Sequence, residues 1–169
     1  ILNYFADVDA IAPGEAIIHA APMSHGSGFY MLPHVAHGGL NVTPESGGFE
    51  PAEIFELLRA HRGVTMFAAP PMVKRLVDHP GADDRAGLKT IVYGGGPMYL
   101  ADIREALSVL GQHFVQIYGQ GETPMTITAL GRRWHTDVDG RSLHRVGSVG
   151  RAQSVVEVRI ASESGDPVP

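Results

Sequence analysis

Short apolar runs, separated by helical patterns, organise the first two thirds of the chain. The runs begin about 24 residues apart and predict five buried strands, at residues 16–20, 40–43, 64–68, 89–93 and 113–118. Three of the intervening segments place their apolar side chains on one helical face, at residues 51–62, 71–79 and 99–110. Strands that alternate with helices at this spacing predict an α/β fold, with a parallel sheet flanked by helices.

The pattern changes after about residue 124. Residues 134–145 are polar and predict a long loop. Residues 155–160 alternate between apolar and polar side chains, as in a half-buried strand. We therefore expect an α/β subdomain over residues 1–130, and over residues 131–169 a loop followed by the start of a β-rich subdomain.

Composition and charge exclude several classes of function. The formal net charge is -5, and the thirteen Lys and Arg residues include only two lysines, Lys74 and Lys89, which do not cluster. Both features argue against a nucleic-acid-binding surface. The chain contains no cysteine, so disulfides, thiolate zinc sites and cysteine nucleophiles are excluded, and a cytoplasmic location is expected. No apolar run reaches about 18 residues, so no transmembrane helix is predicted. Because the chain starts at Ile1 rather than at a methionine, we expect it to be an internal part of a longer protein.

Three unusual segments follow predicted strands. They are PMSHGSG at residues 22–28, GGGP at residues 94–97 and YGQGET at residues 118–123. Ligands of open parallel sheets bind beyond the carboxyl ends of the strands. A parallel sheet brings all three segments to the same edge, so we expect His25, Gly95 and Gly119 to lie along it.

The two glycine-rich segments each have a functional and a structural interpretation. Glycines at residues 94–96 permit positive φ and close approach of a flat ligand, or they form a tight turn. Glycines in the third segment let backbone N–H groups face phosphates. Glu122 is either a Mg²⁺ ligand or a solvated side chain. Tyr118 either stacks on a base or belongs to the core.

The histidines near the first segment also have two interpretations. His25 could orient a carboxylate, or it could begin a helix with Ser24 or Ser27 as the N-cap. His34 and His37 could share a helical face and bind a transition metal. The neighbouring Pro33 and the lack of an evident third ligand argue against that site.

Taken together, four segments resemble the adenylate-forming (AMP-binding) superfamily. QIYGQGETPMTIT resembles its Tyr-Gly-x-Thr-Glu segment, and VYGGGPM its Gly-Gly-x-Pro adenine segment. APMSHGSGF resembles Pro-Leu-Phe-His-x-x-Gly, and VGSVGRAQSVVEVRI resembles the Gly-Ser-Val-Gly-Arg-Pro stretch. The four matches occur in the family's order across nearly the whole chain. They are most similar to acyl-CoA synthetases of the fatty-acid–CoA ligase type, and they identify an internal part of the large N-terminal domain.

This resemblance implies a role for each matched residue. The residues that would flank adenine are Gly94, Gly95, Gly96, Pro97 and Tyr118. Those that would lie along the α-phosphate and the acyl carboxylate are Gly119, Gln120 and Gly121. Glu122 would bind Mg²⁺, and His25 would lie near the carboxylate or the acyl tunnel.

The sequence departs from the family pattern at two places. Gly121 occupies the position of the family's usual Thr, and Ser24 occupies a position where an aromatic residue is common. The resemblance also implies parts outside this chain: an upstream phosphate-binding loop, and downstream a ribose-binding Asp, a hinge and a small domain with a catalytic Lys.

The implied function belongs to the whole protein. It is an ATP-dependent carboxylate–CoA ligase that forms an acyl-adenylate and then a thioester, using ATP, Mg²⁺, CoA and a small carboxylic acid. The alternatives are an adenylation domain that loads a carrier protein, or a non-catalytic α/β binding module. The second alternative remains because Gly121 replaces the family's usual Thr. Fatty, aryl and amino acids all remain possible substrates, and the chain by itself is expected to be inactive.

Overall fold

The computed structural model describes residues 2–136 and 143–168. Within these residues one sheet has the strand order β2-β1-β3-β4-β5-β6-β7. The strands are β1 Ala16–Ile18, β2 Leu40–Val42, β3 Val64–Ala68, β4 Leu88–Tyr93, β5 Phe114–Gln120, β6 Thr123–Leu130 and β7 Arg151–Ala152. The α-helices are α1 Leu2–Asp7, α2 Met31–Ala36, α3 Pro51–Ala60, α4 Pro70–Val77, α5 Leu100–Leu110 and α6 Leu143–Val146. Two short 3₁₀ helices are η1 Gly26–Tyr30 and η2 Arg132–Trp134.

The five predicted strands and their parallel arrangement are confirmed. Strands β1 to β5 pair only in parallel with one another. Along β3 the side chains enter opposite apolar layers, so Met66 packs in one layer and Phe67 in the other. Because both faces of a parallel sheet are covered, these strands appear in the sequence as continuous apolar runs.

The three predicted helices are also confirmed, with ends shifted by one or two residues. Helices α3, α4 and α5 place Ile54, Leu76 and Ile103 in the same apolar layer of the sheet. Helices α3 and α4 each begin with a proline, whose φ suits a first helical turn. Helix α5 ends at Gly111, where φ is +80°. The described part of the chain contains no helix that is both long and apolar enough to cross a membrane.

The sequence interpretation missed one strand and placed another wrongly. The missed strand is β6, which pairs antiparallel with β5 through a tight hairpin. Residues 155–160 do not form the predicted strand, and Val155 and Ile160 are exposed. Alternation alone does not make a strand without a partner, and β7 pairs with β6 only at Arg151 and Ala152. The division at residue 130 stays a prediction, although β7 joins the same sheet as β6.

Two further corrections concern segments that lack a clear periodic pattern. Helix α2 forms despite Pro33, since this proline lies in the first turn, where its missing N–H is not needed. Within the predicted loop at 134–145, residues 137–142 lie outside the described residues, and α6 begins at Leu143.

A charged cluster joins the chain's N-terminal region to the amino ends of the strands. Lys89 Nζ lies 2.6 Å from Glu15 Oε2, and Arg132 Nη2 lies 3.2 Å from Asp9 Oδ1. Asp9 is buried, and this desolvation raises the pKa of its carboxyl group. The cluster occupies the edge of the sheet opposite the three segments singled out in the sequence.

Candidate active site

Two adjoining cavities lie at the carboxyl edge of the parallel strands. The tyrosine cavity, of about 490 Å³, lies between the turn after β4, the end of β5 and residues 146–149. The histidine cavity, of about 360 Å³, lies between η1, the end of β5 and the start of β6. Both cavities are lined by Gly95, Ile117 and Gly119. His25 also lines the histidine cavity, in agreement with the expectation that His25, Gly95 and Gly119 share one edge.

The tyrosine cavity contains most of the residues expected to surround adenine. Gly95, Gly96 and Pro97 form one wall, and Tyr118 forms part of another. Tyr118 is 39% exposed, and its hydroxyl accepts a hydrogen bond of 2.9 Å from Gln120 Nε2. An aromatic ring and a wall in which two of the three residues are glycines therefore face the same space, which suits a flat aromatic ligand.

The glycines after β4 differ in what they do. Gly94 is buried and does not line either cavity; a Cβ atom there would lie 2.7 Å from the carbonyl oxygen of Ile117. It lets β4 approach β5 closely. Gly95 has φ of +78°, a conformation that glycine adopts readily, and lines both cavities. The structural interpretation thus fits Gly94, and ligand binding stays a prediction for Gly95 and Gly96.

The third segment is a hairpin rather than an open glycine-rich loop. Gly121 and Glu122 connect β5 to β6, and the pairing is irregular between Tyr118 and Gln120. Gly119 lies at this irregularity, where a Cβ atom would be 2.2 Å from the backbone nitrogen of Met125. Met125 itself has φ of +53°, which costs a non-glycine residue about 1 kcal/mol. The backbone is therefore closely packed beside the cavity.

The residues at the hairpin tip differ in their relation to the cavities. Gln120 and Gly121 line the histidine cavity. Glu122 is exposed and does not line either cavity. Glu122 directly follows Gly121 of the cavity wall. Among the described residues, no acidic side chain lines either cavity.

The histidine cavity combines one exposed histidine with apolar walls. His25 immediately precedes η1 and makes no side-chain capping hydrogen bond. Neither serine caps the helix in the way the sequence suggested, since the N-cap position is His25 itself. The walls include the rings of Phe29 and Phe67 and the side chain of Met125. This arrangement suits a ligand with a polar end and an apolar body.

The structure gives no support for a transition-metal site at α2. His34 Nδ1–H donates to the carbonyl oxygen of Tyr30, and His37 Nδ1–H donates to that of Pro33, each at 2.8 Å. Burial lowers the pKa of His34. In the described residues, no group of three or more His, Cys, Asp or Glu side chains could hold a metal ion.

Two features at or beside the tyrosine cavity were not among the site residues expected from the sequence, although residues 146–149 belong to the stretch that resembles the family's Gly-Ser-Val-Gly-Arg-Pro segment. One is the wall formed by residues 146–149, which lie far along the chain from the glycines they face. The other is the buried pair of Tyr93 and His135. His135 Nδ1–H donates to the carbonyl oxygen of Gly131 at 3.2 Å, so Nε2 accepts from the Tyr93 hydroxyl at 3.0 Å. Burial lowers the pKa of His135 to about 4, and the pair joins β4 to the segment after β6.

The chain matches known proteins along its whole length. The profile of the AMP-binding enzyme family matches residues 1–169. A medium/long-chain-fatty-acid–CoA ligase of Mycobacterium tuberculosis is 32% identical over 149 residues, covering 87% of this chain and 25% of the relative. A feruloyl-CoA synthase of an Amycolatopsis species is 28% identical over 172 residues, covering 99% of this chain and 33% of the relative.

The fold also matches a solved structure. The amide bond synthetase McbA of Marinactinospora thermotolerans superposes with a TM-score of 0.84 at 27% identity, covering 99% of this chain and 33% of that protein. The chain thus spans between a quarter and a third of the length of these relatives.

Proposed function

The chain belongs to the AMP-binding enzyme family, and from this membership we propose that the whole protein is an ATP-dependent ligase that joins a carboxylic acid to CoA. The reaction proceeds in two steps: the carboxylate attacks the α-phosphorus of ATP, giving an acyl-adenylate and pyrophosphate, and the thiol then displaces AMP. One observation carries the proposal. The two cavities meet at Gly95, Ile117 and Gly119, where the acid and the α-phosphate would come together.

The tyrosine cavity is the nucleotide half of this site. The ring of Tyr118 offers a stacking surface, and base–aromatic stacking contributes about 1–3 kcal/mol per base. Gly95 and Gly96 let the opposite face of the base approach the backbone closely. Neither cavity is lined by an acidic side chain of the described residues, so the phosphates meet no fixed negative charge there.

The histidine cavity is the acid half. Its apolar walls, including Phe29 and Phe67, accommodate the body of the acid. His25 lines this cavity and is exposed, and its imidazole orients the carboxylate toward the shared residues. The protein has little covalent chemistry to perform, so catalysis comes from positioning the carboxylate and from backbone donors near the α-phosphate.

Glu122 fits a Mg²⁺ ion that is held mainly by the nucleotide. Mg²⁺ usually takes only one or two protein carboxylates and completes its shell with phosphates and water. A single exposed carboxylate at the hairpin tip meets that requirement, whereas a site made only of protein ligands would need more groups than the described residues bring together. The ion would neutralise phosphate charge.

ATP–pyrophosphate exchange by the full-length protein, with a panel of fatty, aryl and amino acids, tests the proposal. We expect exchange that depends on one class of acid. Glu122→Gln should lower it by about 100-fold or more, since a charge contact worth about 3 kcal/mol is lost. Glu56→Gln, an exposed change on α3, is the control and should have no effect. Absence of exchange with every acid would refute the proposal, and an active Glu122→Gln variant would refute the role of Glu122.

The acceptor of the acyl group needs its own test. Two of the relatives are named for CoA thioesters and one for amide bonds, and a carrier-protein thiol is a further candidate. Incubating the full-length protein with ATP, acid and either CoA, a carrier protein or an amine separates these outcomes. We expect turnover with CoA, and because ATP and CoA are cytoplasmic metabolites, we propose that location for the reaction.

A further inference from the structure

His19 lies directly after β1 and joins three elements of the fold. Its side chain is buried. Its Nδ1 atom lies 2.8 Å from Ser27 Oγ, and its Nε2 atom lies 2.8 Å from Asn41 Oδ1. Ser27 belongs to η1 and Asn41 to β2. Both ring nitrogens therefore connect the end of β1 to neighbouring elements.

The partners determine which nitrogen carries the proton. Asn41 Nδ2 donates to the carbonyl oxygen of Met31 at 3.4 Å, which leaves its Oδ1 facing His19. An amide oxygen can only accept, so His19 Nε2–H donates to Asn41. In the neutral ring, His19 Nδ1 then accepts from the hydroxyl of Ser27. The hydrogen bonds run in one direction, from Ser27 through His19 to Asn41.

A serine, a histidine and an asparagine in this order resemble a nucleophilic triad, but burial excludes that chemistry. Ser27 has no exposed surface, so no substrate carbonyl can reach its hydroxyl. It also lacks the strand-to-helix elbow typical of serine hydrolases, since it lies inside the 3₁₀ helix. The bonds of His19 therefore hold η1 in place.

The position of η1 is closely defined by its packing. A Cβ atom on Gly26 would lie 2.8 Å from the ring of Phe67, and one on Gly28 would lie 1.9 Å from the carbonyl oxygen of Met23. No side chain caps the start of η1. The hydroxyl of Ser27, which lies within η1, is hydrogen-bonded to His19, which directly follows β1. We expect loss of this bond to let η1 shift within the limits that its packing sets.

Displacement of η1 would change one half of the site and leave the other unchanged. His25, Phe29 and Tyr30, at the start and end of this helix, line the histidine cavity. No residue of η1 lines the tyrosine cavity. We propose that His19 is a positioning residue that holds η1 against β1 and thereby sets the affinity for the carboxylic acid but not for ATP. This inference rests on the proposed function for the meaning of the two cavities.

Two substitutions of His19 separate its two hydrogen bonds. In His19→Gln the side-chain amide reaches the place of Nε2. This variant therefore keeps the hydrogen bond to Asn41 and loses the one from Ser27. In His19→Asn the amide oxygen reaches the place of Nδ1, so it keeps Ser27 and loses Asn41. In the full-length protein, we expect His19→Gln to raise the KM for the acid by about tenfold, the effect of one lost buried hydrogen bond, and His19→Asn by less than about threefold.

The KM for ATP should stay within about twofold of the wild-type value in both variants. A general loss of stability would lower the amount of active enzyme and would not raise the KM for the acid alone. His37→Gln, a change at the end of α2, is the matched control. Equal increases in the two KM values, or equal behaviour of His19→Gln and the control, would overturn the proposal. If the wild-type protein activates no acid, it is the proposed function that fails.

Hydrogen exchange of the full-length protein tests whether His19 holds η1 in place, and it needs no activity measurement. We expect amides of residues 22–30 to exchange faster in His19→Gln, while amides of residues 94–98 stay unchanged. Asn41→Ala, at an exposed position, provides a second variant if His19→Gln does not fold, and should show the same pattern more weakly. Unchanged exchange of residues 22–30 in Asn41→Ala, and in any folded His19→Gln, would overturn the proposal whatever the activity.

Discussion

Two glycines at the β5–β6 hairpin should respond very differently to the same added methyl group. At Gly119, a Cβ atom would lie 2.2 Å from Met125 N and 2.8 Å from Thr123 O. Both contacts are with backbone atoms of the facing strand, which cannot rotate away. At Gly121, no atom lies within 4 Å of the added Cβ, and φ is not in the left-handed region.

These contacts set the size of the expected effects. Gly119→Ala forces β5 and β6 apart and should lower the free energy of unfolding by about 2–3 kcal/mol, as overpacking typically does. For a chain of this size that corresponds to a fall in Tm of about 4–12 °C. Gly121→Ala should change stability by less than about 0.5 kcal/mol.

Urea and thermal unfolding of the 169-residue chain, followed by circular dichroism, measure both effects. In the full-length protein, Gly119→Ala should also raise the KM values for both ATP and the acid, because Gly119 lines both cavities. Equal stabilities for the two alanine variants would refute the inferred backbone contact at Gly119. A stable Gly119→Ala variant with normal KM values would refute its place in the site.

Three further substitutions test separate features. Gly121→Thr restores the hydroxyl that the family usually has, in open space, and should raise the rate of ATP–pyrophosphate exchange by about threefold to tenfold without changing Tm; a lower rate would contradict this. Burial lowers the pKa of His135 to about 4 from an ordinary value of 6.5, so the unfolded chain takes up a proton that the folded chain does not. Stability should therefore be complete above about pH 6.5 and fall by about 3 kcal/mol as the pH drops to about 4. His135→Gln should remove this part of the pH dependence in urea unfolding, and an unchanged curve would exclude His135 as its source. Lys89→Met leaves the carboxylates of Asp9 and Glu15 without their lysine and should lower the free energy of unfolding by about 2–4 kcal/mol, with KM values unchanged. Lys74→Met, at an exposed lysine, should barely change stability, and equal losses for the two lysines would contradict the importance of the buried cluster.

Part of the candidate site could be predicted from local sequence alone. Gly95, Pro97 and Tyr118 follow buried strands, and parallel strands bring their carboxyl ends to one edge. The same reasoning placed His25 beside them. The hairpin was missed because Thr123–Leu130 mixes threonines with a proline and lacks the continuous apolar run of the parallel strands. Strand β6 forms because β5 provides a partner, which no local pattern records.

The sequence by itself determined the parallel core of this protein. Strands such as β3 are buried along their whole length, and the prolines and glycine that bound α3, α4 and α5 act through local backbone geometry. Tertiary structure alone decided the side-chain contacts that join the elements around the two cavities. Tyr93 meets His135 across 42 positions, and His19 meets Asn41 across 22, because chain folding rather than sequence spacing brings these side chains together. Residues 155–160 show the same dependence, since their alternation becomes a strand only where another strand supplies hydrogen-bond partners.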